Sequence, residues 1–293
     1  MPSLHVHHLN TATLCPMSAR LVNGRGALFG PARMVCHSLL IESARGLILV
    51  DTGLGVGDIA EPRRLGPTWV RQVSPRLDVG ETALERVKAL GLDPRDVRDI
   101  ALTHLDLDHA GGIADFPEAR IHVHAREHRC MTSREGARAG MRYIAGHFAH
   151  GPRWSTFDDG GERWFGFDGV RALDPREPDV LLVPLPGHTL GHTGVAVRTE
   201  EGWLLHAGDA YFFHGQIEAE PHAPWVLQYF QWRGDMDRAA RIANQARVRE
   251  LALANTNVRV FSAHDPVELD RFQGSGGRWQ SASRPVGSSR CAR

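Results

Sequence analysis

The sequence predicts an α/β fold. Five short apolar runs rich in Val, Leu and Ile each lead to an Asp or a His beside a turn residue, a pattern typical of buried strands followed by loops. Segments with apolar residues at helical spacing separate some of these runs. Loops at strand ends carry functional side chains on a rigid scaffold. We therefore expect side chains from several loops to converge on one site.

The predicted elements follow one another along the whole chain. The apolar runs and the polar residues that follow them are 47–50 before Asp51, 100–102 before His104, 180–183 before His188, 203–205 before Asp209 and 258–261 before His264. Helical periodicity predicts helices over residues 81–90 and 235–253. Prolines, glycines and aromatic residues predict long loops over 53–80, 141–169 and 212–232.

Composition narrows the class of protein. The 293 residues are 42% hydrophobic and 23% charged, which is ordinary for a globular chain, and we expect one domain over residues 1–272 with a disordered tail over 273–293. Lys plus Arg equals Asp plus Glu at 34 each, so nothing favours nucleic acid or an anionic membrane as a partner. A small-molecule substrate fits better. No apolar run is long enough to span a membrane, and residues 1–20 lack a continuous apolar segment, so we expect a cytoplasmic protein.

The most informative motif places four metal-ligand side chains in six residues, just before a glycine pair. These are His104, Asp106, Asp108 and His109. Residues two apart in an extended segment point to the same side, so His104 and Asp106 can converge on one ion while the other two address a second ion. The alternative is a polar strand end with histidines there by chance. The motif alone offers half of a two-metal centre.

The order of these strand-end residues resembles the metallo-β-lactamase superfamily over roughly residues 35–272. The resemblance implies a single-domain, four-layer αββα sandwich with a metal centre at one edge of its sheets. Its ligand pattern implies a first ion held by His104, Asp106 and His188, a second held by Asp108, His109 and His264, a bridging carboxylate from Asp209, and a carboxylate at Asp51 that orients a ligand. His192 competes with His188 for the ligand position, and the family pattern favours the first of the two.

The same resemblance implies a metal-dependent hydrolase. Two divalent ions would share a hydroxide that attacks an ester, lactone or related acyl bond, and Asp108 or a metal-bound water would manage the leaving-group proton. Two alternatives stay open: a di-iron or Mn/Fe redox protein related to the metallo-β-lactamase domain of the di-iron flavoproteins, and a non-catalytic metal-binding protein. Similar lactonases are commonly dimers, so a homodimer is a further option.

One position departs from the family pattern. Asp106 stands where histidine is common, and two divalent ions with three carboxylates and one hydroxide have no net charge. We expect zinc, with iron or manganese as alternatives, because carboxylate ligands favour those metals relative to imidazole.

Two further sequence features suggest substrate contacts. Tyr211 follows Asp209 by two residues and is a candidate hydroxyl for hydrogen bonding to a carbonyl, although similar acyl-homoserine lactonases carry a tyrosine one position later, where this chain has Phe212. The aromatic residues that either line an apolar pocket or simply pack are Trp225, Tyr229, Phe230 and Trp232.

Overall fold

A computed structural model describes residues 4–133 and 142–274, and these fold into two six-stranded sheets. In order across the first sheet, the strands are β1 His5–Leu14, β2 Met34–Ser43, β3 Gly46–Val50, β4 Val97–Ala101, β5 Arg120–His124 and β6 Arg153–Phe157. In reverse order across the second sheet, they are β7 Glu162–Trp164, β8 Phe167–Asp174, β9 Glu177–Pro184, β10 Thr193–Thr199, β11 Gly202–His206 and β12 Val258–Phe261. All five predicted strands are confirmed.

Alternation along the strands builds the sandwich. On β2, the side chains of Leu39 and Ile41 join a core shared by both sheets, whereas Leu40 between them points to the opposite face. Val195 and Val197 of β10 enter the shared core from the second sheet. The two sheets therefore pack face to face over an apolar layer.

Helices cover the outer faces. The helices are α1 Ala19–Val22, α2 Val56–Ala60, α3 Pro67–Val73, α4 Ala83–Ala89, α5 Leu107–Ala110, α6 Ala125–Ser133, α7 Trp225–Gly234, α8 Arg238–Ala254 and α9 Pro266–Gly274. Val87 of α4 packs on the outer face of the first sheet, and Val248 and Leu251 of α8 pack on the outer face of the second. The predicted four-layer αββα fold is confirmed.

Both predicted helices exist, with shorter bounds. The hydroxyl of Thr82 accepts a hydrogen bond from Glu85 N–H at the start of α4, and the carboxylate of Asp237 accepts one from Ala240 N–H at the start of α8. Each cap fixes where its helix begins.

The predicted long loops are partly wrong. Residues 53–80 contain α2 and α3, residues 141–169 contain β6 and β7, and residues 212–232 contain most of α7. Short elements with Pro at the first helical turn, as in α3, lack the length that reveals a period. The predicted tail over 273–293 lies outside the described residues except for 273 and 274, which belong to α9.

One edge of the sandwich brings the two sheets together. Thr193 N–H at the start of β10 donates to the Thr103 carbonyl just beyond β4, at 2.9 Å, and His37 N–H on β2 donates to the Ala263 carbonyl beyond β12, at 2.8 Å. These bonds tie loops from opposite sheets into one surface.

Within residues 4–133 and 142–274, no helix combines the length and apolar character that crossing a bilayer requires.

Candidate metal centre

The ligand motif lies beyond strand β4 and runs into the short helix α5. The Asp106 carbonyl accepts hydrogen bonds from the N–H groups of His109 and Ala110, so the chain turns sharply between Asp106 and Asp108. His104 and Asp106, which were expected on an extended segment, therefore lie beyond the end of β4, and Asp108 and His109 lie in the turn that follows. The first two side chains of the motif nevertheless converge, with His104 Nε2 at 3.4 Å from Asp106 Oδ2.

The first cluster joins the predicted ligands of one ion. His188 Nε2 lies 3.2 Å from Asp106 Oδ2 and 3.3 Å from Asp209 Oδ2. His104 Nε2 lies 3.7 Å from the same oxygen of Asp209. These separations place four side chains from three different loops around one point.

The second cluster lies on the other side of Asp209. Asp209 Oδ1 is 3.5 Å from His109 Nε2 and 3.2 Å from His264 Nε2. Asp108 Oδ2 is 3.8 Å from His264 Nε2. One carboxylate thus directs one oxygen toward each cluster, which is the geometry of a bridging ligand.

Unsatisfied buried atoms show that the residues fit a divalent metal. In the part of the chain that the structure describes, Nε2 of His104, Nε2 of His109 and Oδ1 of Asp209 are buried without a hydrogen-bond partner. Such atoms are costly unless something binds them. Burial acts to raise the pKa of the Asp209 carboxyl, but the charges of His264 and His109 outweigh it and hold the pKa well below the usual value. A divalent ion would take the place of those charges, because an anionic carboxylate beside imidazole nitrogens that have released their protons is a donor set for such an ion.

Asp51 fixes the orientation of His109. Its carboxylate accepts hydrogen bonds from Thr103 N–H, Thr103 Oγ1 and His109 Nδ1, each at 2.8 Å. His104 Nδ1 donates to the same Thr103 hydroxyl at 2.9 Å. With Nδ1 protonated on both rings, each Nε2 keeps the lone pair that a metal needs. Asp51 adopts a left-handed conformation with φ of 55°, a strain that its three hydrogen bonds support.

His192 holds the main chain at Asp209. Its Nδ1 donates to the Leu185 carbonyl at 2.9 Å, and its Nε2 accepts from Asp209 N–H at 2.9 Å. Neither ring nitrogen is left for a metal, so His188 is the ligand candidate of the pair.

The turn before Asp209 requires glycine at position 208. Gly208 has a φ of 53°, and a Cβ there would lie 2.5 Å from His192 Nε2.

Two residues at the centre were missed by sequence reasoning. The thiol of Cys36 lies with ligand atoms of Asp108 and His264 inside a group no more than 4.8 Å across, while its neighbour His37 faces the core beside His8. Strand alternation offered a signal for Cys36, because only one of two adjacent residues can face the site. Arg142, which bonds to Asp106, was not singled out because its segment was predicted as part of the loop over 141–169.

Tyr211 does not occupy the expected substrate-side position. The side chain is fully buried in the core under α8, and its hydroxyl donates to Glu268 Oε1 at 2.8 Å. The expected role therefore does not hold, because the hydroxyl is committed to a buried partner. The separation of two residues between Asp209 and Tyr211 does not determine the direction in which the Tyr211 side chain leaves the turn.

A cavity of about 680 Å³ opens beside the second cluster. Its lining includes His264 together with the apolar side chains of Met34, Phe212, Phe213 and Leu227. The aromatic residues predicted either to line an apolar pocket or to pack are instead exposed on α7, namely Trp225, Tyr229, Phe230 and Trp232. The start of the 212–232 segment and Leu227 of α7 line this cavity, whereas the four aromatic side chains of α7 do not.

The αββα sandwich and the shared carboxylate at its edge define a protein of the metallo-hydrolase class. The chain belongs to the metallo-β-lactamase superfamily, whose family model matches residues 32–248. It is 40% identical over 266 residues to a probable metallo-hydrolase of Mycobacterium tuberculosis, covering 90% of this chain and 81% of that protein. It is 29% identical over 238 residues to an N-acyl homoserine lactonase of Azorhizobium caulinodans, covering 80% and 83%.

Solved structures agree on the fold. An N-acyl homoserine lactone hydrolase with the product N-hexanoyl-L-homoserine bound at its catalytic metal centre superposes with a TM-score of 0.67. The sequence identity is 21%, and the match covers 92% of this chain and 96% of that one. The fold is shared. Membership of the superfamily makes the chain a metal-binding hydrolase.

Proposed function

We propose that this protein is a binuclear metallo-hydrolase that cleaves an ester, a lactone or a related acyl bond of a small molecule. The observation that carries the proposal is Asp209, whose two carboxylate oxygens each face a separate cluster of histidines. Divalent ions in these clusters would supply a hydroxide nucleophile at neutral pH and polarise a carbonyl oxygen. The relatives that are named lactonases support this reaction class.

The residues would divide the work by position. His104, Asp106 and His188 would hold one ion, and Asp108, His109 and His264 the other, with Asp209 between them. Asp51 would keep the lone pair of His109 directed at its ion.

Asp108 is the candidate for moving a proton to the leaving group. Its side chain is 14% exposed, whereas that of Asp209 is 4% exposed, so Asp108 is the more accessible of the two carboxylates to a substrate. A carboxylate within reach of the leaving oxygen can accept and return a proton.

The cavity suggests the kind of acyl group. Phe212, Phe213 and Leu227 form an apolar wall beside His264, so an acyl chain can lie along them while the reacting carbonyl faces the clusters. Phe212 also packs edge-on against His264, with ring centroids 5.2 Å apart. A small-molecule substrate with an apolar acyl portion fits this arrangement.

Zinc is the proposed metal, with iron or manganese as alternatives because of the Asp106 carboxylate. Elemental analysis of the purified protein, followed by removal and separate reconstitution with each metal, distinguishes them. Stoichiometric zinc with no gain in turnover from iron or manganese would exclude the alternatives. Retained iron without hydrolytic turnover would favour the redox alternative.

Hydrolysis itself is tested with a substrate panel of acyl lactones, aryl esters, thioesters and phosphotriesters. We expect turnover of at least one lactone or ester, and at least a 1,000-fold loss in Asp209→Ala together with loss of bound metal. Asp174→Ala is the matched control, because Asp174 lies at the end of β8, outside the centre, and pairs there with Arg176. Metal retention and unchanged turnover in Asp209→Ala would contradict the shared carboxylate.

A further inference from the structure

Arg142 places a permanent positive charge against the first cluster. Its Nη1 donates to both carboxylate oxygens of Asp106, at 2.9 and 2.8 Å, and lies 3.3 Å from His188 Nε2. Its Nη2 donates to the Gly234 carbonyl at the end of α7. The side chain is only 10% exposed. The guanidinium is thus held by three partners from three parts of the fold.

The contacts of Arg142 are the same atoms that a metal would use. Asp106 Oδ2 and His188 Nε2 are 3.2 Å apart and both face the Arg142 nitrogen. A divalent ion bound to this pair at an ordinary distance of about 2.0–2.2 Å would lie within a few ångströms of the guanidinium. Arginine does not lose its charge in proteins. Arg142 and a divalent ion therefore compete for these lone pairs and repel each other.

The second cluster has a different environment. His264 Nε2 faces the carboxylates of Asp108 and Asp209, and His109 lies between Asp209 and Asp51. Its ligand atoms face acids, as those of the first cluster do, but Arg142 adds a positive charge against the first cluster. The two halves of the centre are consequently unequal in charge although they share Asp209.

We propose that Arg142 is an internal competitor at the first cluster, so that the two ions bind in order and the second cluster fills first. This inference rests on the two-ion centre of the proposed function. It also gives a physical reason for the carboxylate at position 106. Asp106 holds the guanidinium and offsets its charge, whereas a histidine at that position would face Arg142 without an opposite charge.

The proposal is tested by metal titration rather than by turnover. Metal-free, full-length protein is titrated with Co²⁺ and followed by visible absorption and calorimetry. We expect wild type to bind one ion tightly and a second at least tenfold more weakly. His188→Ala should lose only the weaker step, which assigns that step to the first cluster.

Removing the charge should make the two steps more equal. In Arg142→Met we expect the weaker step to tighten at least tenfold, while the tighter step stays unchanged and reports that the centre is folded. Arg142→Gln, which keeps a donor for Asp106 without the charge, should behave in the same way. Arg120→Met is the matched control, because Arg120 lies outside the centre, where its Nη2 is 2.9 Å from Asp99 Oδ1. Both binding steps of this variant should match those of wild type.

Two results separate the failure of this inference from failure of the proposed function. If both Arg142 variants bind two ions with the wild-type pair of affinities, or bind the second ion more weakly, Arg142 is not a competitor. If neither wild type nor Arg142→Met binds a second ion, the two-ion centre itself is wrong.

Discussion

Replacing Asp51 with asparagine should disable one ligand histidine without changing the shape of the site. The backbone N–H of Thr103 requires an acceptor, so the amide oxygen of the introduced side chain must occupy the place of Asp51 Oδ1. The amide nitrogen then takes the place of Oδ2 and faces His109 Nδ1, which lies 2.8 Å from that position. Because this nitrogen donates, the His109 ring must accept at Nδ1 and carry its proton on Nε2.

The size of the effect follows from that change of tautomer. A protonated Nε2 has no lone pair for an ion and points at Asp209 Oδ1, 3.5 Å away. Changes in residues that orient a metal ligand typically weaken metal binding about 10- to 100-fold, or roughly 1.4–2.7 kcal/mol. The opposite amide orientation leaves the buried Thr103 N–H without an acceptor, at a cost of about 1–3 kcal/mol in the free energy of unfolding.

The assay is chelator competition for bound metal, with urea unfolding of the metal-free protein alongside. Asp51→Asn should show the loss of metal affinity with little loss of stability. Asp99→Asn is the matched control, since Asp99 accepts from His122 Nε2 at 2.7 Å in a pair remote from the centre, and its metal affinity should equal that of wild type. Wild-type metal affinity in Asp51→Asn would refute the assignment of Asp51 as the residue that fixes the His109 tautomer.

Three further substitutions test other parts of the structure. Tyr211→Phe removes a buried hydrogen bond to a carboxyl group and should lower the free energy of unfolding by about 1–3 kcal/mol in urea, with turnover unchanged; a large loss of turnover would restore its substrate role. Burial and the nearby Asp265 raise the pKa of Glu268 from 4.5 to about 8, so its contribution to stability is complete below pH 4.5 and is lost as the pH rises through about 8. Urea unfolding between pH 4.5 and about 8 should show that the free energy of unfolding falls less in Glu268→Gln than in wild type, with a difference of at most about 5 kcal/mol. An equal fall in both proteins would show that Glu268 is not the group responsible. Gly208→Ala forces a Cβ toward His192 and should cost at least about 2 kcal/mol in thermal unfolding, while unchanged stability would show that the turn can relax.

The strand ends could be predicted because local chemistry determines them. Apolar β-branched runs bury themselves wherever they lie, and the residue after each run is carried to the sheet edge with the turn. Asp51, His104, His188, Asp209 and His264 all lie at one edge for this reason. Their common order along the chain, compared with a known family, then indicated how they pair.

The features that could not be predicted depend on side-chain directions and on contacts between residues far apart in the sequence. Tyr211 and Phe212 are adjacent, yet one enters the core under α8 and the other lines the cavity, because the turn after Asp209 sets their directions. Arg142 reaches Asp106 across 36 residues, from a segment without a periodic pattern. Its place became evident only when the packing of α7 was known, since Gly234 holds the other end of the guanidinium.

The exposed aromatic residues of α7 illustrate a related limit. Trp225 is 68% exposed and Tyr229 is 50% exposed, although their position soon after Asp209 suggested a pocket. Composition identifies side chains that favour burial, but it does not identify the face of a helix that meets the core. Leu227, on the same helix, is the residue that reaches the cavity.

The central claim is that Asp209 joins two ions, and anomalous X-ray diffraction from crystals of the metal-loaded protein tests it most directly. The account predicts two anomalous peaks about 3.5–4 Å apart, with one oxygen of Asp209 bound to each. A single peak, or two peaks of which only one contacts Asp209, would contradict it.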